Sequence, residues 1–298
     1  MRIGVDCGGT KIEVVALDDQ GTQLFRKRVP TPRSSYVQCL EVMADLVISA
    51  EAATGLKGSI GLGIPGSISP SSGLVRNANM TWLNGEALDK DLSKILERPV
   101  RVQNDANCFA VSEAIDGAGA GSHLVFAIIL GTGCGSGIAQ DGKALTGHQA
   151  IAGEIGHIPL PWMTKEEFPG VSCWCGRQAC LESYVSGTGF ERDFAHVSGR
   201  KIAGSDIIAG ANQGDIECEH AFERYKDRLA RGIAMICNIL DPDVVVLGGG
   251  MSNVDRLYTE LPALIETHIF SDAFDTPVRK AIHGDSSGVR GAAWLWNE

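Results

Sequence analysis

No run of about 18 consecutive apolar residues occurs in this chain, so nothing in it reads as a membrane-spanning helix. Met1 leads directly into an apolar, glycine-rich stretch without a basic leader or signal core, so a soluble, cytoplasmic protein is expected. Cations are scarce: 26 lysines and arginines face 36 aspartates and glutamates, a formal net charge of -10. That field repels phosphate backbones and argues against nucleic acid as a partner, and any anionic ligand must be gathered by local backbone donors. The nine cysteines are odd in number and spread through 298 residues, unlike a short, cysteine-dense disulfide scaffold, and a reducing cytosol fits them best.

The chain has no low-complexity linker either, so its division has to be inferred. Its length suffices for two cores. Alternating apolar residues around Ile3, Val5, Ile12, Val14 and Ala16 bracket Asp6 to Thr10, which predicts strand, glycine turn and second strand. "LVFAIILGTGCGSGIAQDG", residues 124 to 142, repeats that sentence and marks a weak internal duplication of a hairpin. Helices are predicted near 37 to 53 and 106 to 116, with the strand-like "SIGLGIPG" between them. Another helix is predicted over 219 to 239, from Phe222, Leu229, Ile233, Ile236 and Ile239, and it runs into the buried strand of "DPDVVVLGGGMS". The order is α/β. A first domain is placed at 1-112 plus 286-298 and a second, carrying the cysteine cluster, at 113-285.

Three glycine turns follow apolar β-like runs: "DCGGTK", "GTGCGSG" and "GGGMS". None matches the Walker pattern, and "GTGCGSG" lacks the helix that follows a Rossmann turn. Each alone reads as an ordinary tight turn; three together favour a nucleotide cradle, since bare backbone N–H groups approach phosphate closely and Thr10 and Thr132 add hydroxyls. Asp6 is placed to hold a hydrated Mg²⁺ against phosphates or to bond its own turn, and Lys11 either neutralises phosphate or lies on a solvated face.

In "RPVRVQNDANCFAVSEA", Asn104 and Asp105 fall where a strand ends and a helix begins. Asp105 reads as a helix cap or as a general base taking a proton from an attacking hydroxyl that Asn104 orients, and the two are compatible at a helix N-terminus. "AGEIGH" sets Glu154 and His157 three apart, suited to sugar hydroxyls, although a lone histidine is more often structural. Cys173, Cys175 and Cys180 give CxCx4C. With His157 they make a Cys3His set for a closed tetrahedral Zn²⁺; the spacing differs from the usual knuckle, so buried or redox thiols stay open. Glu182 would be placed by the same clamp or begin the next helix as a surface carboxylate.

These motifs, with "GIPGSIS" and "NAN", occur in the order found in the ROK family of bacterial sugar kinases, and the chain resembles that family from residue 3 to about 252. The resemblance implies an actin-like ATPase (ribonuclease H-like) fold of two domains with a cleft between them, closing on ATP-Mg²⁺ and a hexose, and usually a homodimer. It implies Asp105 as catalytic base; Gly66, Asn79, Asn104, Glu154, His157 and Glu182 as sugar contacts; and His157, Cys173, Cys175 and Cys180 as ligands of a structural zinc. Asp6, Gly8, Gly9, Thr10, Gly131, Thr132 and Gly133 would form the phosphate loops, and Gly248, Gly249 and Gly250 the adenosine end. "TPRSSY", "VRNANMTWLNG" and "TPVRKAIHGDSSGVRGAAWLW" are similar to fructokinases that also take mannose, so fructose phosphorylation at the 6-position is the expected activity. An N-acetylhexosamine kinase such as one for N-acetylglucosamine is the alternative, followed by a sugar-sensing regulator, which would need a helix-turn-helix before residue 3, and a nucleotide-binding protein without transferase activity. Two departures stand out: Ala179 replaces a common glycine, a strain if its φ is positive, and His148 and Gln149 replace part of a glycine-rich approach to "AGE".

Overall fold

The alternation around Asp6 to Thr10 forms the expected hairpin: β1 (Arg2–Cys7) returns as β2 (Lys11–Leu17), with Gly8 N–H donating to Lys11 O at 3.0 Å. The computed structural model describes residues 1–33 and 35–297. Ser34 of "TPRSSY" and Glu298, the last residue of the proposed 286-298 segment, lie outside them. Ile3, Val5 and Cys7 line one face and are fully buried, while on the other face Gly4 leaves room for the backbone of Val289, so this central strand is covered on both faces. β3 (Gln23–Pro30) is the polar edge, where Arg26 and Arg28 reach back to the buried Glu13 carboxylate at 2.5 and 2.9 Å. Its cations also discourage further strand pairing.

α1 (Tyr36–Thr54) starts on Ser35, whose hydroxyl accepts from Gln38 N, and stops at Gly55 with φ 69°. β4 (Ser59–Ile64) pairs parallel with β1, then comes a ribbon of β5 (Ser67–Ile68) and β6 (Val75–Arg76). After α2 (Leu88–Ile95), β7 (Val100–Asn104) pairs parallel with β4 and runs into α3 (Asp105–Ile115). The first sheet therefore reads β3-β2-β1-β4-β7.

The second half repeats this arrangement with β8 (Leu124–Leu130), β9 (Cys134–Gln140) and β10 (Lys143–Ala144). Short α4 (Glu182–Val185), then α5 (Gly187–Ser198), α6 (Gly204–Asn212) and α7 (Ile216–Leu240) lead to β11 (Val244–Gly248). α8 (Arg256–Glu266), β12 (Val278–Lys280) and α9 (Ser287–Ala293) follow. The second sheet is β10-β9-β8-β11-β12. Renumbered from its own first strand it has the same 3-2-1-4-5 order as the first sheet, so the hairpin duplication extends to a whole sheet.

By internal packing the chain forms two units: Met1–Val125 with Gly137–Gly153 and Ile282–Glu298, and Phe126–Ser136 with Glu154–Ala281. In the first, α9 lies against β1, β4 and α3, and it can do so because Gly291 has no side chain: a Cβ there would stand 1.6 Å from Cys108 O. In the second, α7 buries Phe222, Tyr225, Leu229, Ile233 and Ile236, while Ile239, expected on that face, is 67% exposed because it falls in the last turn of the helix. Among the described residues no helix is long and apolar enough to cross a membrane.

Candidate active site

In the first unit, β7 delivers Asn104 and Asp105 to the start of α3. The backbone settles which of them caps. Asn104 is extended (φ -61°, ψ 143°) and its Oδ1 accepts from Ala106 N and Asn107 N at 3.0 and 3.3 Å, so capping belongs to Asn104 and Asp105 is the first helical residue. Asp105 Oδ1 accepts from Ala106 N at 2.9 Å. Asn104 Nδ2 donates to Gly66 O at 3.3 Å, and Asn79 N donates to Pro65 O at 3.2 Å, so Gly66, Asn79 and Asn104 come together. Gln103, unremarked in sequence, ties this corner: its Oε1 accepts from Asn104 N at 2.8 Å and from Asn107 Nδ2, and its Nε2 donates to Thr146 Oγ1. Arg76 donates to Gln149 O, so both anchor the loop in which His148 and Gln149 depart from the family pattern.

Asp6 is the penultimate residue of β1, before the turn of Gly8, Gly9 and Thr10 that leads to Lys11, and Thr31 pins that turn through its hydroxyl to Gly8 O at 2.6 Å. Burial, reinforced by the charges of Asp105 and Glu13, pushes the Asp6 carboxyl up to about 7 against the pull of Lys11 and Arg28. A buried carboxylate that feels the charge of a second one suits a divalent cation, which would offset their repulsion, and so the residues present fit a Mg²⁺ site.

In the second unit, Gly131, Thr132 and Gly133 turn β8 into β9. Gly187 N donates to Gly131 O at 2.7 Å and Thr188 Oγ1 to Thr132 O at 2.7 Å, docking the start of α5 on this turn. Gly248 closes β11, and Gly249, with φ 80°, passes directly over Leu130 before Gly250. A cavity of 610 Å³ opens here, lined among others by Gly131, Thr132, Thr188, Glu191, Ser205 and Gly250. Two of the three expected glycine turns thus share one pocket. Thr188, Glu191 and Ser205 are additions that carry no glycine signature.

The remaining polar group is assembled from three segments of this unit. Glu154 leads into a 3-10 turn ending at His157, and burial raises the Glu154 carboxyl, opposed by His157 and reinforced by Glu182. Glu182, first residue of α4, accepts Cys134 N at 2.9 Å on Oε2 and the Trp174 indole N–H at 2.6 Å on Oε1. Gly133 makes room for it, since a Cβ there would lie 2.7 Å from Oε2. Behind this, His157, Cys173, Cys175 and Cys180 bring one ligand atom each within 4.8 Å of one another. Cys175 Sγ lies 3.5 Å from Cys180 Sγ and Cys173 Sγ 3.8 Å from His157 Nδ1, near the donor spacing of about 3.8 Å that tetrahedral bonds of about 2.3 Å require. The donors are compatible with zinc. Ala179, before the last cysteine, has φ 59°, so the departure from glycine does carry strain.

A family model described as the ROK family matches residues 2–298. The chain belongs to the ROK family. It is an ATP-dependent sugar kinase with the actin-like ATPase fold. Curated relatives include N-acetyl-D-glucosamine kinases of Yersinia pseudotuberculosis, 41% identical over 99% of this chain and 98% of theirs, and Vibrio cholerae, 42% identical over 99% of both. Among solved structures, the ROK hexokinase of Thermus thermophilus superposes with a TM-score of 0.87 at 29% identity, covering 99% of this chain and 97% of that one. The ROK glucokinase of Streptomyces griseus, in complex with glucose and AMPPNP, gives 0.76 at 30% identity over 99% and 98%.

Proposed function

We propose that this ROK kinase transfers the γ-phosphoryl group of ATP to the 6-hydroxyl of N-acetylglucosamine. The observation that carries the substrate is the run of relatives named as kinases of that sugar, 41–43% identical across essentially their whole length. The fructose expectation rested on short motifs, and these full-length relatives outweigh it.

The residues support a simple division of labour. Asp105, one oxygen held by the Ala106 N–H, accepts the sugar hydroxyl's proton on its other carboxylate oxygen as the hydroxyl oxygen attacks the γ-phosphorus. The bond from phosphorus to the β–γ bridging oxygen breaks and ADP leaves. With the Gly8 and Gly131 N–H groups closing their own turns, the N–H groups of Gly9, Thr10, Thr132 and Gly133 serve the phosphates and Gly248 to Gly250 the adenosine; Asp6 would hold Mg²⁺, which would supply neutralisation of phosphate charge. Glu154, His157 and Glu182 take sugar hydroxyls. Zinc in the Cys3His set would be structural, fixing the His157 ring by ligation at one nitrogen.

The test is ADP release with ATP-Mg²⁺ across fructose, mannose, glucose and N-acetylglucosamine, compared as kcat/KM. N-acetylglucosamine should lead; a fructose preference would return the substrate to the motif-based expectation and leave the mechanism in place. Asp105→Asn should lose about 10²- to 10⁴-fold in kcat while sugar affinity stays near wild type. Unimpaired turnover in that variant would remove Asp105 from the reaction.

A further inference from the structure

Trp174 lies between two of the clustered cysteines and is 78% exposed. An aromatic ring that far out of the core contributes little to folding. Its contacts nevertheless all point at the sugar residues. The indole N–H donates to Glu182 Oε1 at 2.6 Å, and the ring stands edge-on to His157, centroids 5.0 Å apart at 80°.

The other Glu182 oxygen is held by Cys134 N–H. A carboxylate anchored through one oxygen still turns about its last torsion, which is broad and shallow. Anchored through both, by donors from separate segments, it cannot. Each oxygen can accept a second hydrogen bond, so the two anchors leave lone pairs for a ligand hydroxyl.

We propose that Trp174 is a positioning residue of the sugar site, holding the Glu182 carboxylate in a single orientation for a sugar hydroxyl. The inference rests on the sugar-kinase reading of Glu154, His157 and Glu182. Cys173 N donates to Arg177 O at 2.8 Å and Gly176 N to Cys173 O at 3.1 Å, so the same turn that gathers the thiols also delivers the indole.

The experiment is calorimetric titration of the full-length protein with N-acetylglucosamine, for wild type, Trp174→Phe, Glu182→Gln and the double variant, with kcat and KM at saturating ATP-Mg²⁺. Phenylalanine keeps the ring beside His157 and removes the donor. A charge-assisted hydrogen bond at a partly solvated site is expected to show as an increase of about 3- to 10-fold in Kd and KM, with kcat within about twofold of wild type. In the Glu182→Gln background, Trp174→Phe should add nothing, the signature of one residue acting through the other. Normal wild-type binding with an unchanged Kd in Trp174→Phe, or a fully additive double variant, would overturn this proposal alone. Wild-type protein that binds no hexose or N-acetylhexosamine would overturn the sugar-site reading and this proposal with it.

Discussion

Replacing Glu167 by glutamine should loosen the segment that joins His157 to Cys173, and the size of the effect follows from its partners. The Glu167 carboxylate, 9% exposed, accepts from Arg228 Nε at 2.9 Å, from both terminal nitrogens of Arg231 at 2.7 and 2.9 Å, and from Thr164 N at 3.0 Å. Arg231 is itself 3% exposed and also donates to the carbonyls of Pro161 and Trp162, so the segment is bolted to α7 through these two arginines. Burial alone would raise the Glu167 carboxyl; the hydrogen bonds from Arg231 and Arg228 overcome this and hold it at about 2, against an ordinary 4.5. That depression corresponds to about 3 kcal/mol, and about 2 kcal/mol after discounting for nearby solvent. A depressed carboxylate stabilises the fold fully above its unfolded value, and the contribution fades as pH falls from about 5 towards 2. Glu167→Gln keeps the volume, loses the charge and turns an amide N–H₂ towards guanidinium donors. A loss of about 2–3 kcal/mol is expected, or about 4–10 °C in Tm at pH 7. The wild-type fall in Tm between pH 5 and 3 should also become shallower in the variant. Thermal melts across that range provide the assay. An unchanged Tm at pH 7 with an unchanged acid slope would refute the reasoning.

Other perturbations separate packing from chemistry. Gly291→Ala drives a methyl into Cys108 O, a backbone atom that cannot rotate away, and should cost about 3 kcal/mol in urea unfolding; a neutral result would mean that α9 does not sit against α3 as described. Gly133→Ala pushes on Glu182 without touching Asp105, so sugar KM should rise at least tenfold, by our estimate of about 1.4 kcal/mol, and Tm should barely move; an unchanged KM would detach Glu182 from the sugar. Ala179→Gly relieves about 1–2 kcal/mol of left-handed strain but gives up about 0.8 kcal/mol of buried methyl and about 0.4–1 kcal/mol of unfolded-chain restriction. Its stability should stay within about 1 kcal/mol of wild type, while β-branched Ala179→Val should lose more than about 2 kcal/mol, and a Val variant as stable as wild type would deny the left-handed turn. Metal analysis of chelator-free protein should find about one zinc per chain, lost in Cys180→Ser; metal-free protein with three reactive thiols would return the cluster to plain cysteines.

Much of this was legible in one dimension because it is periodic or punctuated. Apolar alternation around a glycine turn specifies β1–β2 and β8–β9, and the helical spacing through Ile236 specifies α7. The misreadings have physical causes. Asn104 and Asp105 both bond the Ala106 N–H, and composition cannot say which of the neighbours takes the N-cap position; the extended backbone at Asn104 does. Ile239 obeys the spacing of α7, yet its last turn leaves the core, and burial there depends on what lies opposite. Thr188, Glu191 and Ser205 reach the pocket beside Gly131 and Gly250 from the first turns of α5 and α6, with no glycine pattern to mark them. Trp174 carries no pattern of its own in the sequence, because the cysteines on either side of it account for the motif without the indole between them.

The duplicated sheet sharpens that point, because equal topology carries unequal chemistry. Both copies present a hairpin turn made for close approach, at Gly8 to Thr10 and at Gly131 to Gly133. In the first copy the carboxylate beside the turn comes from the strand itself: Asp6 lies deep, near Asp105, with its carboxyl raised to about 7, a setting that suits a cation. In the second copy the carboxylate arrives from far along the chain. Glu182 reaches Cys134 N only because Gly133 has no Cβ, and it is held there by two neutral N–H donors, a setting that suits a hydroxyl. Repetition of the strand order therefore predicts where each turn lies, and the carboxylate's own donors and neighbours decide what each turn can bind.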